Sequence, residues 1–107
     1  MKAKHTNILF IRSKMPPTVE IDTEASAAYV RFKRTKVTRT FRHGSKWPLI
    51  TIDLDQGGEV VGVEFVGVKK FNAGYLLQGV PIKAPAQTIA RATYISAEAN
   101  HTGRESN

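Results

Sequence analysis

The stretch LITIDLDQGGEVVGVEFVGV, residues 49–68, dictates its own structure. Ile50, Ile52 and Leu54 alternate with Thr51, Asp53 and Asp55, the period of a strand with one apolar face. Val61, Val63 and Phe65 then alternate with Gly62, Glu64 and Val66. Between the two runs lies Gln56-Gly57-Gly58-Glu59, where glycine supplies the positive φ that a tight reversal needs. The spacing predicts a β-hairpin in which Leu54 faces Val61, Ile52 faces Val63 and Ile50 faces Phe65. A slip of one residue would turn half of these side chains into water. On the outward face Thr51 then opposes Glu64, and Asp53 opposes Gly62, which leaves the Asp53 carboxylate uncovered.

Upstream, the same alternation recurs. Val19-Glu20-Ile21 reads as a strand, and residues 22–26 as a turn whose Asp22 carboxylate caps the backbone that follows. In the next strand Ala28, Val30 and Phe32 share one face, with Tyr29 and Arg31 on the other. Arg34-Thr35 closes a turn into residues 36–42. Pairing Lys33 with Lys36 sets Phe32 against Val37, Val30 against Arg39 and Ala28 against Phe41. That register leaves Arg39 on the apolar face, to be resolved by a bulge or by snorkelling. Residues 43–48 form the loop that returns the chain to the hairpin. Residues 8–11 read as an edge strand, ended by Met15-Pro16-Pro17 because proline removes donors.

Downstream the pattern weakens. Residues 72–78 form a short helix capped by Asn72 and stopped by Gly79. In residues 86–97, Ile89, Ala90, Thr93 and Ala97 have helical spacing, yet Ala92-Thr93-Tyr94-Ile95 serves equally as a strand. The expected fold is α+β or mainly β, an antiparallel meander of five strands (19–22, 27–33, 36–42, 49–55 and 60–68). Its apolar face, which includes Val37 and Phe41, needs a cover, supplied by one or two short C-terminal helices or strands or by a second copy of the chain. Residues 1–97 make one small domain, with 69–97 as the cover. Residues 1–6 are polar, and 98–107 lack large apolar side chains and read as a disordered tail.

Composition narrows the function. With 107 residues there is room for one core, and the absence of cysteine excludes disulfides and thiolate metal sites. No apolar run reaches the ~20 residues of a membrane span, so a soluble, cytoplasmic protein without membrane partners is expected. The net charge is +7, from 16 Lys and Arg against 9 Asp and Glu, which favours an acidic partner, nucleic acid or protein. The charge is also segregated. Arg31, Lys33, Arg34, Lys36, Arg39, Arg42 and Lys46 follow one another with no acid among them, whereas Asp53, Asp55, Glu59 and Glu64 cluster in the hairpin.

Two stretches together carry a family resemblance. Asp22-Thr23-Glu24-Ala25-Ser26-Ala27-Ala28-Tyr29-Val30 resembles a "YD-x-EADALYI" opening, and residues 53–64, DLDQGGEVVGVE, are similar to a "D-x-D-x-x-G-x-V-V-G-I-E" hairpin. Over residues 19–68 the chain thus resembles the small bacterial family catalogued as domain of unknown function 2283. Ser26 stands where the pattern has a second Asp and Ala28 where it has Leu, and typical members are acidic. The resemblance implies no activity and no cofactor. It implies an antitoxin-like or regulatory partner role, since some members look like partners of small toxin-like ribonuclease-fold proteins. The positive charge of this chain is poorly matched to a basic ribonuclease.

Three sets of residues are candidates for function. The basic strand face, Tyr29, Arg31, Lys33, Lys36 and Arg42 with Thr38 and Thr40, offers cations for phosphates and one ring for stacking. This points to a non-enzymatic binding or scaffold module. Asp53, Asp55 and Glu64 are weak candidates for a metal-dependent or carboxylate hydrolase. Asp-x-Asp-x-Gly begins a calcium loop, but the remaining ligands are missing, and turns select Asp in any case. His5, His43 and His101 have no metal-ligand or triad spacing, and neither Gly57-Gly58 nor His43-Gly44-Ser45-Lys46 follows a phosphate-loop pattern. Trp47 is the other outward-looking aromatic.

Overall fold

The computed structural model describes residues 8–97. In chain order the elements are β1 (Leu9–Phe10), β2 (Thr18–Asp22), β3 (Ala27–Arg31), β4 (Arg39–Arg42), β5 (Leu49–Leu54), β6 (Val60–Val66), α1 (Ala73–Leu77), β7 (Ile82–Lys83), α2 (Ala86–Ala90) and β8 (Thr93–Ser96). The protein is mainly β. A six-stranded sheet has the order β4-β5-β6-β3-β2-β8, and β1 and β7 form a parallel two-stranded ribbon beside it. The expected terminal segments 1–6 and 98–107, with His5 and His101, lie outside the described residues.

The hairpin of β5 and β6 forms with Ile52 opposite Val63, Ile50 opposite Phe65, Thr51 opposite Glu64 and Asp53 opposite Gly62. At its turn end the register shifts by one. Leu54 opposes Val60, and Val61 is the extra residue of a bulge, buried like its neighbours. The Val61 carbonyl accepts from both Phe32 N (2.8 Å) and Lys33 N (3.3 Å), so the bulge is where β3 leaves the sheet. Gly58 at φ +82° makes the reversal, and Asp55 Oδ1 accepts from Gly57 N (2.9 Å) and Glu59 N (3.0 Å).

The expected hairpin between residues 27–33 and 36–42 does not form. β3 pairs with β2 and β6, and β4 pairs with β5 on the far side of the sheet. The chain after β3 therefore runs past the β5–β6 turn, rejoining the sheet where Thr38 N donates to the Leu54 carbonyl at 2.8 Å. Lys33 holds this crossing in place through Asp55 (2.8 Å) and Glu59 (2.9 Å). The new pairing accounts for Arg39. It lies opposite Leu54 on the core side, but all four residues of β4 are exposed, because the cover does not reach this edge. Val37 and Phe41, assigned to the apolar face by the hairpin pairing, are exposed for the same reason.

The cover comes from within the chain. Leu76 and Leu77 of α1, Val68, Val80, Ile82 and the upstream Ile11 close over Val19, Val30, Ile52, Val63 and Phe65. Asn72 caps α1 as its sequence predicts, its Oδ1 accepting from Tyr75 N at 3.0 Å. Residues 86–97 divide between their two readings. α2 takes the first part, and β8 adds to β2 in parallel, which makes the sheet mixed rather than a meander. Tyr94 of β8 accepts from Ala73 N at 2.9 Å and so ties the start of α1 to the sheet edge.

The turn between β2 and β3 holds Ser26 in the left-handed region. Ala25 N donates to Asp22 Oδ1 at 3.1 Å, and Ser26 adopts φ +53° while its carbonyl accepts from Gly67 N and Val68 N. Left-handed backbone favours Gly, Asn and Asp over most residues, so Ser26 carries a conformational cost here. Ser26→Gly is expected to stabilise the fold by up to about 1 kcal/mol in denaturant titrations. Ile52→Ala and Val63→Ala should each cost about 2–4 kcal/mol, the range for emptying a buried site. Gly58→Val should also destabilise, because a β-branched residue resists φ +82°.

Candidate functional site

The outward face of the sheet carries a connected polar network rather than a free basic surface. Its organising position is Gly62. A Cβ there would collide with the Tyr29 ring, so the missing side chain is the space through which Tyr29 crosses β6. Its hydroxyl then donates to Asp53 Oδ2 at 2.8 Å. Asp53, expected to be left uncovered by Gly62, is instead capped by Tyr29 and by Thr40 Oγ1, which donates to Oδ1 at 2.6 Å. Arg31 sits over the Tyr29 ring (4.8 Å to the centroid) and forms a two-pronged pair with Glu20 at 2.7 and 3.2 Å. From Glu20 through Arg31, Tyr29 and Asp53 to Thr40, the network joins β2, β3, β5 and β4.

These partners set the protonation of the groups. Burial, and then the hydrogen bond to Asp53, push the Tyr29 hydroxyl well above the ordinary tyrosine range. Glu20 holds the Arg31 guanidinium charged, and Asp55 with Glu59 raises the Lys33 ammonium. Lys33, aided by the Glu59 and Gly57 backbone N–H groups, lowers Asp55 below the usual carboxylate range.

Of the predicted basic face, Tyr29, Arg31 and Lys33 are thus bonded to acids of the same chain. Lys36 and Arg42 form no ion pair with another described residue, and neither do Arg34, Arg39 and Lys46. These five surround the exposed strand β4 and its loops. The acidic candidates separate in the same way. Asp53 accepts from Tyr29 and Thr40, Asp55 belongs to the hairpin turn, and Glu64 accepts from Thr51 at 3.3 Å. Among the described residues, no group of three His, Asp or Glu side chains is placed to hold a metal ion. No helix among them is long and apolar enough to cross a membrane.

A second feature went unread in the sequence. The loop after β4 and the start of α1 enclose an open cleft of about 900 Å³ at one end of the sheet. Trp47 and Tyr75 line it with Lys46, Lys69 and His43, and no carboxylate is among its lining residues. Trp47 was recognisable as an outward aromatic. Tyr75 was hidden inside a predicted helix, and nothing in the local pattern joins it to Trp47.

The network makes a testable claim about pH. Tyr29 has a folded-state pKa above its ordinary value of 10.0, so its contribution to stability is full below that pH and declines as pH rises beyond it. Ultraviolet titration of the three tyrosines should show one ionising after the other two. Asp53→Asn should bring that one back towards the others. Three coincident titrations would contradict the Tyr29–Asp53 bond.

Comparison with known proteins supports the family resemblance for part of the chain. No curated protein and no solved structure matches it. The model of one family, described as "Protein of unknown function (DUF2283)", matches residues 18–69. That segment begins at the first residue of β2 and ends just beyond β6, so it contains the whole network and neither helix. Over residues 18–69, just under half of its length, this chain is similar to the DUF2283 family.

Proposed function

We propose that this protein is a non-enzymatic binding module that holds single-stranded nucleic acid along the basic edge of its sheet. The observation that carries the reading is the state of the cations between residues 34 and 46. Arg34, Lys36, Arg39, Arg42 and Lys46 have no acid among them in sequence and no ion pair with a described residue. A polyanion can engage them without first breaking internal bonds. Phe41 and Trp47, 41% and 67% exposed, lie in the same stretch and offer flat apolar surface to unstacked bases. Arginine can grip a phosphate with two parallel hydrogen bonds, so Arg39 and Arg42 are the principal contacts.

The reading keeps Lys36 and Arg42 from the basic face expected in the sequence. It treats Tyr29, Arg31 and Lys33 as parts of the scaffold, because binding phosphate through Arg31 or Lys33 would cost their bonds to Glu20, Asp55 and Glu59. The hydrolase alternative has less support, since Asp53, Asp55 and Glu64 are engaged by separate partners on the sheet and turn. An acidic protein partner, including the antitoxin-like role, would use the same edge and becomes the reading if nucleic acid does not bind.

Binding of a short labelled oligonucleotide at low salt, followed by anisotropy, tests the proposal. Arg39→Ala and Arg42→Ala should each weaken affinity and lower the slope of log K against log salt by about 0.7. Arg31→Ala should reduce thermal stability while leaving the salt slope near that of the parent. A parent protein that fails to bind at low salt, or arginine variants that bind as the parent does, would overturn the reading. Arg31→Ala matching the β4 variants in affinity and slope would return the contact to the outer sheet face.

A further inference from the structure

We infer that the cleft between the residue 43–48 loop and α1 is a binding site for a nucleobase that carries a phosphate. The inference stands on the cleft, which shares Lys46 and Trp47 with the strand-binding edge but adds Tyr75 and Lys69 and does not include Arg39 or Arg42. Its volume, about 900 Å³, lies within the ~300–1,000 Å³ typical of small-molecule sites. Its two aromatic walls come from different parts of the chain and remain accessible, Trp47 at 67% and Tyr75 at 50% exposure.

The Trp47 indole is fixed in place by a glycine. A Cβ on Gly67, which has φ +95°, would collide with the Trp47 indole, so the ring lies directly against the backbone at the end of β6. Supported there, it stays exposed to the cleft without a covering side chain of its own. Tyr75 is held by the capped first turn of α1, and Lys70 lies 5.2 Å from its ring centroid. The buried Phe65 and Leu76 give the cleft an apolar floor.

Charge selects among planar ligands. Lys46 and Lys69 line the cleft, no carboxylate does, and neither lysine forms an ion pair with a described residue. An uncharged aromatic would use the rings alone. A planar cation would be repelled by the lysines. A base with a phosphate uses both features, stacking on the rings while the lysines meet the phosphate. The same chemistry is offered by a free mononucleotide and by one nucleotide of a single strand.

Trp47 is the only tryptophan in the chain, so its fluorescence reports on this cleft. Titration with adenosine monophosphate at low salt should quench it saturably, with calorimetry as a second readout. Adenosine should bind at least threefold more weakly and inorganic phosphate should not quench, because stacking and charge are both required. Tyr75→Ala should weaken the mononucleotide about tenfold and Tyr75→Phe should restore it. Lys46→Ala with Lys69→Ala should bring the mononucleotide down to the affinity of adenosine. Arg39→Ala with Arg42→Ala should leave mononucleotide binding unchanged, so this site and the strand-binding edge can fail separately. A short oligoadenylate that quenches at lower concentration than the monomer identifies a nucleotide within a strand as the ligand. Equal or weaker quenching identifies the free nucleotide. The inference is overturned if no nucleotide quenches saturably, or if the Tyr75→Ala and double-lysine variants both bind as the parent does.

Discussion

The outward face of this sheet depends on an aromatic ring lying across a glycine. Tyr29 can reach Asp53 only because residue 62, between them on β6, has no side chain. The bond spans three strands, and Thr40 extends it to a fourth. Burial of the ring raises the cost of ionising the hydroxyl, which keeps the donor protonated, and Asp53 is satisfied from two sides. On the other flank Arg31 lies over the ring and pairs with Glu20. One missing methyl group thus places the ring that reaches Asp53 on one side and lies beneath Arg31 on the other.

What could be read from the sequence was what repeats locally. The register of Ile52 with Val63 follows from alternation within one short stretch, and so do the caps at Asp22 and Asn72. The pairing of β3 was misread for a physical reason. Residues 27–33 and 36–42 both have strand patterns and adjoin, which favours a hairpin. The bulge at Val61, however, offers a carbonyl to Phe32 and Lys33, and the carboxylates at the β5–β6 turn bind Lys33. Neither attraction is visible until the hairpin is folded. β8 was legible only as one of two readings of residues 86–97, because four residues next to a helix carry too little periodicity to show a parallel partner.

The candidate site was legible in the same partial way. The run of cations from Arg31 to Lys46 and the acidic hairpin are plain in the sequence, but which charges cancel depends on strand order. Arg31 meets Glu20 and Lys33 meets Asp55 because β3 lies in the middle of the sheet. Arg39 and Arg42 meet no acid among the described residues because β4 lies at its edge. The net charge of +7 is therefore unevenly available to a partner. The cleft was least legible of all, since Trp47 and Tyr75 meet only after the cover has closed on the sheet.

The strand order also constrains the sequence of events in folding. β3 is central, yet one of its two neighbours, β6, is synthesised long after it, with β4 and β5 in between. Closing that contact requires a long loop, whose entropy is recovered only when β6 presents a formed edge. The β5–β6 hairpin closes over a short local loop, as the β2–β3 pair does, and its formation creates both the edge that β3 joins and the turn that Lys33 grips. During translation the β2–β3 pair must therefore wait, with its apolar face and one edge of β3 uncovered, until the β5–β6 hairpin has left the ribosome.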